Sequence, residues 1–270
     1  MKTSSGDGDQ TGRSSRRWSR ERTVVLPEAG RVVAELRREG IARTSVAALT
    51  GDAGVLDDVL ACARALVERR APAVAEQRRR VAAATGPAAP WDRPPDADRV
   101  PLLDADAPAT PCRRLLQDPV LGCVAEAYCR RAVQHVGTEA WMEVAAASPA
   151  PPRRWQRGPG GRRPTVEVWV HLSDEEDGDG PLHYVRGSHL DRRGEGAPPG
   201  TFEALGGPAG TVVFADPRGM HRRSPAVGRD RLLLHGVFSS RRRAPRWSVP
   251  APRAVHGAYA LAGAGAGSEG

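Results

Sequence analysis

Lysine is almost absent from this chain; it occurs once, at Lys2. Arginine supplies nearly all of the 40 basic side chains, and against 32 acidic ones these leave a formal net charge of +8. A sequence pI of about 10.2 raises the prospect of a nucleic-acid partner. No DNA- or RNA-binding motif accompanies the charge. Clusters such as Arg16-Arg17, Arg78-Arg79-Arg80 and Arg241-Arg242-Arg243 read as solvated faces or tails, so no nucleic acid is expected. A basic surface can still draw an anionic substrate. Cysteine is scarce too: Cys62, Cys112, Cys123 and Cys129 form no CxxC pair, no histidine lies at zinc-finger spacing, and buried free thiols are the expected state. No run approaches the ~18 apolar residues of a membrane span. The first residues lack the apolar core of a secretory signal, so a cytoplasmic protein without a membrane partner is expected. Internal repeats are absent.

The 270-residue chain suits one domain over 23–257, between low-complexity tails at 1–22 and 258–270 expected to be disordered. Its front half, 23–130, has helical periodicity. "EAGRVVAELRREG" sets Val33 and Leu36 on one stripe and closes on Gly40. "DAGVLDDVLACARALVERRAPAVAEQRRRVAAA" predicts a long amphipathic helix broken near Pro72. Residues 84–111 read as a Pro/Asp-rich loop, and "TPCRRLLQDPVLGCVAEAYC" as one or two short helices. From 131 to 240 the pattern alternates. In "TVEVWVHLSD", Val166, Val168, Val170 and Leu172 share one face, and Glu167, Trp169 and His171 share the other. "GPLHYV", "GTVVFAD" and "RLLLHGVFSS" are further strands. The fold class is α+β with a mainly β core, a sandwich or barrel buttressed by the N-terminal helices.

"VWVHLSDEEDGDGPLHYVRGSH" and "GTVVFADPRGMHRRSPAVGRDRLLLHGVF" resemble, in order, the two halves of the site in phytanoyl-CoA dioxygenase-like proteins. The resemblance runs from about Pro119 to Phe238. It implies a double-stranded β-helix, the jelly-roll or cupin-like fold, with helices packed on one sheet. It also implies Fe(II) held by a His-x-Asp pair and a distal His, and 2-oxoglutarate held by an Arg about ten residues further on. The distal His falls on His221 and the Arg on Arg231. The proximal His falls on Gln156 and the Asp on Gly158, within Trp155-Gln156-Arg157-Gly158.

Two of the three ligand positions therefore lack a metal-ligating side chain of the usual kind. Gln156 offers a neutral amide oxygen and Gly158 nothing, so no metal is expected; were one bound, His221 and Gln156 would be its ligands. Gly158 alone would match related halogenases, in which chloride takes the place of the carboxylate, but those retain both histidines. The expected cofactor is none, with Fe(II) and 2-oxoglutarate as the alternative. The leading expectation is metal-independent tailoring of a small molecule in bacterial specialised metabolism by cyclisation, epimerisation, elimination or hydrolysis. An oxygenase or halogenase with atypical ligands and a non-catalytic small-molecule-binding protein are the competing readings. Acid/base candidates are His221, His235, His171 and Glu143. Arg231, starting an alternating strand, is the candidate clamp for 2-oxoglutarate or a substrate anion, or else is buried against a carboxylate. Trp155, Gln156, Gly158, Trp169 and Trp141 are pocket candidates. Asp174, His189, Asp216 and Gly219 read as structural.

Overall fold

A computed structural model describes residues 27–83, 99–146, 154–158, 164–191 and 202–240. The expected tails at 1–22 and 258–270 lie outside these residues.

The front half supplies the helical layer. α1 (Pro27–Glu39) buries Val32, Val33 and Leu36. α2 (Val46–Thr50) is capped by the Ser45 side chain, which accepts from the Ala48 amide. α3 (Gly54–Arg69) and α4 (Ala71–Ala83) divide the long periodic segment at Arg70, next to Pro72. α5 (Pro111–Leu116) and α6 (Pro119–Cys129) each carry proline in the first turn, where no amide donor is missed. Cys112 and Cys129 are buried, but Cys62 is half-buried and Cys123 exposed. The expectation of four buried thiols thus fails at Cys123, on the outer side of α6.

Two strands also arise in this half, where none was expected. β1 (Ile41–Ser45) pairs with β7 (Thr211–Ala215), and β2 (Arg99–Pro101) pairs with β3 (Gln134–Glu143). With β4 (Thr165–His171) and β9 (Arg231–Ser239) they complete a six-stranded antiparallel sheet ordered β1-β7-β4-β9-β3-β2. A second sheet has the order β6-β5-β8, from β5 (Leu182–Tyr184), β6 (Glu203–Ala204) and β8 (His221–Arg223).

The alternation in β4 decides where things go. Val166, Val168, Val170 and Leu172 pack with Val212, Phe214, Leu234 and Phe238 against α1, α3, α5 and α6. Each such side chain, fully buried, contributes about 1.5–3 kcal/mol. The opposite face turns Trp169 inward, where it meets Trp141, Val213, Leu233, and Tyr184 and Leu205 from the second sheet. This inter-sheet space is the interior of a jelly-roll.

Asp216, fully buried after β7, ties the layers together. It accepts from the Tyr128 hydroxyl of α6 and from Arg218 Nε at 3.0 Å, while its own carbonyl accepts from the Tyr184 hydroxyl at 2.9 Å. Tyr128→Phe should therefore lower the unfolding free energy by about 1.5–3 kcal/mol, the worth of a hydrogen bond to a charged group. Urea unfolding monitored by tryptophan fluorescence measures it.

Candidate functional site

His221 enters β8 after the bend at 216–220, where the Gly219 amide donates to the Asp216 carbonyl at 3.0 Å. Its backbone bridges to Gln156 in both directions, at 2.8 and 2.9 Å. Positions 156 and 221 are thus neighbours, as the resemblance requires of two metal ligands. His221 Nδ1 lies 2.9 Å from the Gly219 carbonyl. A carbonyl only accepts, so Nδ1 carries the proton and Nε2 the lone pair. The ring is half-buried and stacks parallel to Tyr184 at 6.4 Å, while Gln156 is exposed.

Gly158 is held differently from a vacant ligand position. Its amide donates to the Pro217 carbonyl, and a Cβ there would come within 2.8 Å of the Pro217 oxygen and 2.9 Å of the Pro217 Cβ. Backbone and ring fill the place where a carboxylate would begin. The local donor set is one imidazole nitrogen and one amide oxygen, which does not suit Fe(II). Among the described residues no group of three or more His, Cys, Asp or Glu side chains could hold a metal ion.

The cosubstrate side fits no better. Arg231 is fully buried. Nε and Nη2 donate to Glu143 Oε2, Nη1 to Glu175 Oε1 and the Gly180 carbonyl, and Nη2 also to the Ser224 carbonyl at 2.8 Å. Those five contacts use every N–H of a guanidinium, so no donor is left for a 2-oxoglutarate or substrate carboxylate. Of the two alternatives for Arg231, the structure shows burial against carboxylates. The physical reason is register: Glu143 and Arg231 are directly opposite across β3 and β9 and share the inward face.

Glu143, expected as an acid/base group, is instead a countercharge. Its Oε1 accepts from Trp141 Nε1 at 2.8 Å, Arg99 Nε at 3.2 Å and Arg223 Nη2 at 2.5 Å. Burial works against its ionisation, but Arg223, Arg231 and Arg99 outweigh it and hold the carboxyl well below the usual range. A carboxylate so committed is a poor proton carrier at neutral pH.

The other candidates divide into two places. His171 and His235 do face the interior. His171 Nδ1 lies 3.5 Å from Glu175 Oε2, and burial pushes its pKa down. His235 packs on Trp169 with ring centroids 4.2 Å apart and sits 3.8 Å from the Glu167 carboxylate. Trp141 and Trp169 meet edge to face at 5.7 Å. Trp155 does not join them. It packs at 5.6 Å on Phe202 and under the Arg222 guanidinium at 4.4 Å. Asp174 accepts from the Ala209 amide and His189 Nε2 meets the Arg37 carbonyl, both shaping turns.

Arg223, Glu175 and Arg99 were missed from sequence. Arg223 had a signal: it lies two residues after His221 in a strand, hence on the same face. Glu175 was hidden in the acidic turn "SDEED", where its neighbours Asp174 and Glu176 are exposed. Together these charges share the jelly-roll interior with Trp141, Trp169, Leu205, Val213 and Leu233. A small cavity lined by Trp169, His171, Glu175, Leu182, Arg223 and Leu233 among others has room for about one water molecule.

Comparison with known proteins agrees with this fold. No family model matches the chain, and no curated protein matches it. Solved structures do. The non-heme alpha-ketoglutarate-dependent epimerase SnoN from nogalamycin biosynthesis is 21% identical, with TM-score 0.54, over 79% of this chain and 83% of its own. AviO1 from Streptomyces viridochromogenes Tue57 is 20% identical, with TM-score 0.55, over 80% of this chain and 97% of its own. The alpha-ketoglutarate-dependent carbocyclase SnoK from nogalamycin biosynthesis is 14% identical, with TM-score 0.51, over 80% and 88%. SnoN has been crystallised with Fe3+, alpha-ketoglutarate and nogalamycin RO. At these identities the likeness establishes the fold: a jelly-roll of the kind used by non-heme 2-oxoglutarate-dependent enzymes. No helix among the described residues is long and apolar enough to cross a membrane.

Proposed function

We propose that this protein is a metal- and 2-oxoglutarate-independent relative of the natural-product dioxygenases, acting on a small molecule at the barrel mouth with His221 as its acid/base group. One observation carries the reading: every N–H of Arg231 is spent on Glu143, Glu175 and two backbone carbonyls. On this reading an internal ion pair stands where the motif resemblance puts the cosubstrate clamp. The proteins it resembles in fold include an epimerase and a carbocyclase of nogalamycin biosynthesis, which supports a tailoring role on a small-molecule intermediate.

The chemistry follows from the tautomer. With Nδ1–H committed to the Gly219 carbonyl, Nε2 of His221 accepts a proton from an acidic C–H or O–H of the substrate. The same nitrogen returns that proton to a different atom or face, so atoms and charge balance without an oxidant. Cyclisation, epimerisation, elimination and hydrolysis all need this service. Gln156, exposed beside it, would hydrogen-bond a substrate carbonyl through its side-chain amide.

The test is chemical complementation. A producing strain lacking the protein should accumulate an intermediate. Wild-type protein purified in chelator should convert that intermediate, and His221→Asn should convert it about 10²–10⁴-fold more slowly. Conversion that stops on chelation and returns with Fe(II) and 2-oxoglutarate would contradict the proposal. An intermediate bound tightly but released unchanged would favour the binding protein.

A further inference from the structure

Arg223 is a buried guanidinium whose counter-charge is shared out thinly. Its Nη2 donates to Glu143 Oε1 at 2.5 Å, but that carboxylate also serves Arg231 and Arg99. Its Nη1 is buried and has no protein partner. The side chain lines the small inter-sheet cavity, as does His171, whose Nδ1 is also buried without a hydrogen-bond partner. The rest of the wall is Glu175 and the apolar side chains of Trp169, Leu182, Leu205, Val213 and Leu233. A buried N–H of a cation costs free energy until something accepts from it.

We propose that this cavity is a binding site for one small monovalent anion of halide size, held by Arg223 Nη1 and His171. The site is distinct from the mouth at His221, and it does not depend on whether the mouth performs chemistry.

The choice of ligand follows from size and charge. The cavity admits about one water-sized body, which excludes a dicarboxylate. Burial drives the Arg223 pKa down to about 9 despite Glu143, a sign that its charge is incompletely compensated. The groups facing His171 are Glu175 just beyond its own strand, Arg223 from β8 and Arg231 from β9, with the Gly207 backbone at the ring's other nitrogen. Arg99, Arg223 and Arg231 share the Glu143 carboxylate, and Arg231 also bonds Glu175. A proton on His171 adds one positive charge 3.5 Å from Glu175 Oε2 and screens that carboxylate from the anion. Binding therefore strengthens as pH falls. Burial lowers the His171 pKa in the ligand-free protein, so the proton arrives below the ordinary histidine range unless the anion brings it in.

The experiment compares thermal unfolding of the full chain in sodium bromide and in sodium gluconate at equal ionic strength, at pH 5.5 and pH 8. Bromide should raise the midpoint by roughly 3–5 °C at the lower pH and by less at the higher. Arg223→Gln should abolish the difference, and His171→Asn should keep a difference but flatten its pH dependence. Equal midpoints in both salts for the wild type, as a cavity that takes only water would give, overturn the proposal. If Arg223→Gln does not fold, bromide anomalous scattering from wild-type crystals decides. A peak within hydrogen-bond distance of Arg223 Nη1 supports the site, and peaks only elsewhere refute it.

Discussion

Glu143→Ala is expected to destabilise the protein by about 3–5 kcal/mol, because it strands buried guanidiniums that share one carboxylate. The unfolding midpoint should drop by about 10 °C or more. Glu76 offers the control. It bonds Arg79 and Arg80 on the exposed face of α4, where solvent screens the pairs, and Glu76→Ala should leave the midpoint unmoved. The double variant Glu143→Ala/Arg223→Met should recover part of the loss, since it removes a stranded charge along with its partner. The pH dependence has a definite sign. Glu143 ionises in the folded protein well below the ordinary carboxylate range. Its contribution is thus present above the unfolded-state value of about 4.3 and is lost as pH falls through the lower folded-state value. The gap between wild type and Glu143→Gln should hold constant from pH 7 to pH 5 and close only in stronger acid. A gap that closes between pH 7 and pH 5 would show that the carboxyl is not held by the arginines.

Gly219→Ala is the second large expected effect. A Cβ at this position would run into the Tyr184 hydroxyl and ring, with Cε1 only 2.9 Å away. Tyr184 cannot swing aside, because it is fully buried and its hydroxyl donates to the Asp216 carbonyl. Overpacking of this kind should cost about 3 kcal/mol. It should also disturb His221, since the Gly219 carbonyl orients that imidazole. Conversion by the mouth should therefore fall along with stability. Tyr184→Leu in the same chain should restore part of the stability by making room, whereas the orientation of His221 should recover only if the bend returns. Stability and conversion both unchanged in Gly219→Ala would mean that the bend is not built as described.

What could be read in advance follows the length and amphipathicity of each element. The alternation in Thr165–His171 was enough to separate a helix-facing side from an interior side, and both sides are found where the pattern put them. The break beside Pro72 and the paired helices at Pro111 and Pro119 were equally legible, because proline acts locally. β1 and β2 were not. Ile41–Ser45 and Arg99–Pro101 are short, and their strand state comes from pairing with Thr211–Ala215 and with Trp141–Glu143, which no local pattern records.

The candidate site was legible in the same uneven way. Its residues could be placed near the interior from strand alternation and from the motif resemblance, and His171, His235, Trp141 and Trp169 are there. Their roles depended on partners far away in sequence. Whether Arg231 clamps a ligand or a protein carboxylate turns on cross-strand register with Glu143, and on the acidic turn bringing in Glu175. Gly158 read as an empty ligand position. Only the approach of Pro217 shows that the position is filled by backbone. For that reason Gln156→His with Gly158→Asp should not by itself create a tight iron site, since an aspartate at 158 must first displace Pro217.

On the function proposed here, Arg231 serves an internal ion pair and the chain holds neither Fe(II) nor 2-oxoglutarate. Anaerobic calorimetric titration of the purified protein with Fe(II) and then 2-oxoglutarate, with the visible spectrum recorded in parallel, tests it most directly. No saturable heat and no metal-to-ligand charge-transfer band are expected. One iron bound per chain, with the band appearing on addition of 2-oxoglutarate, would contradict it.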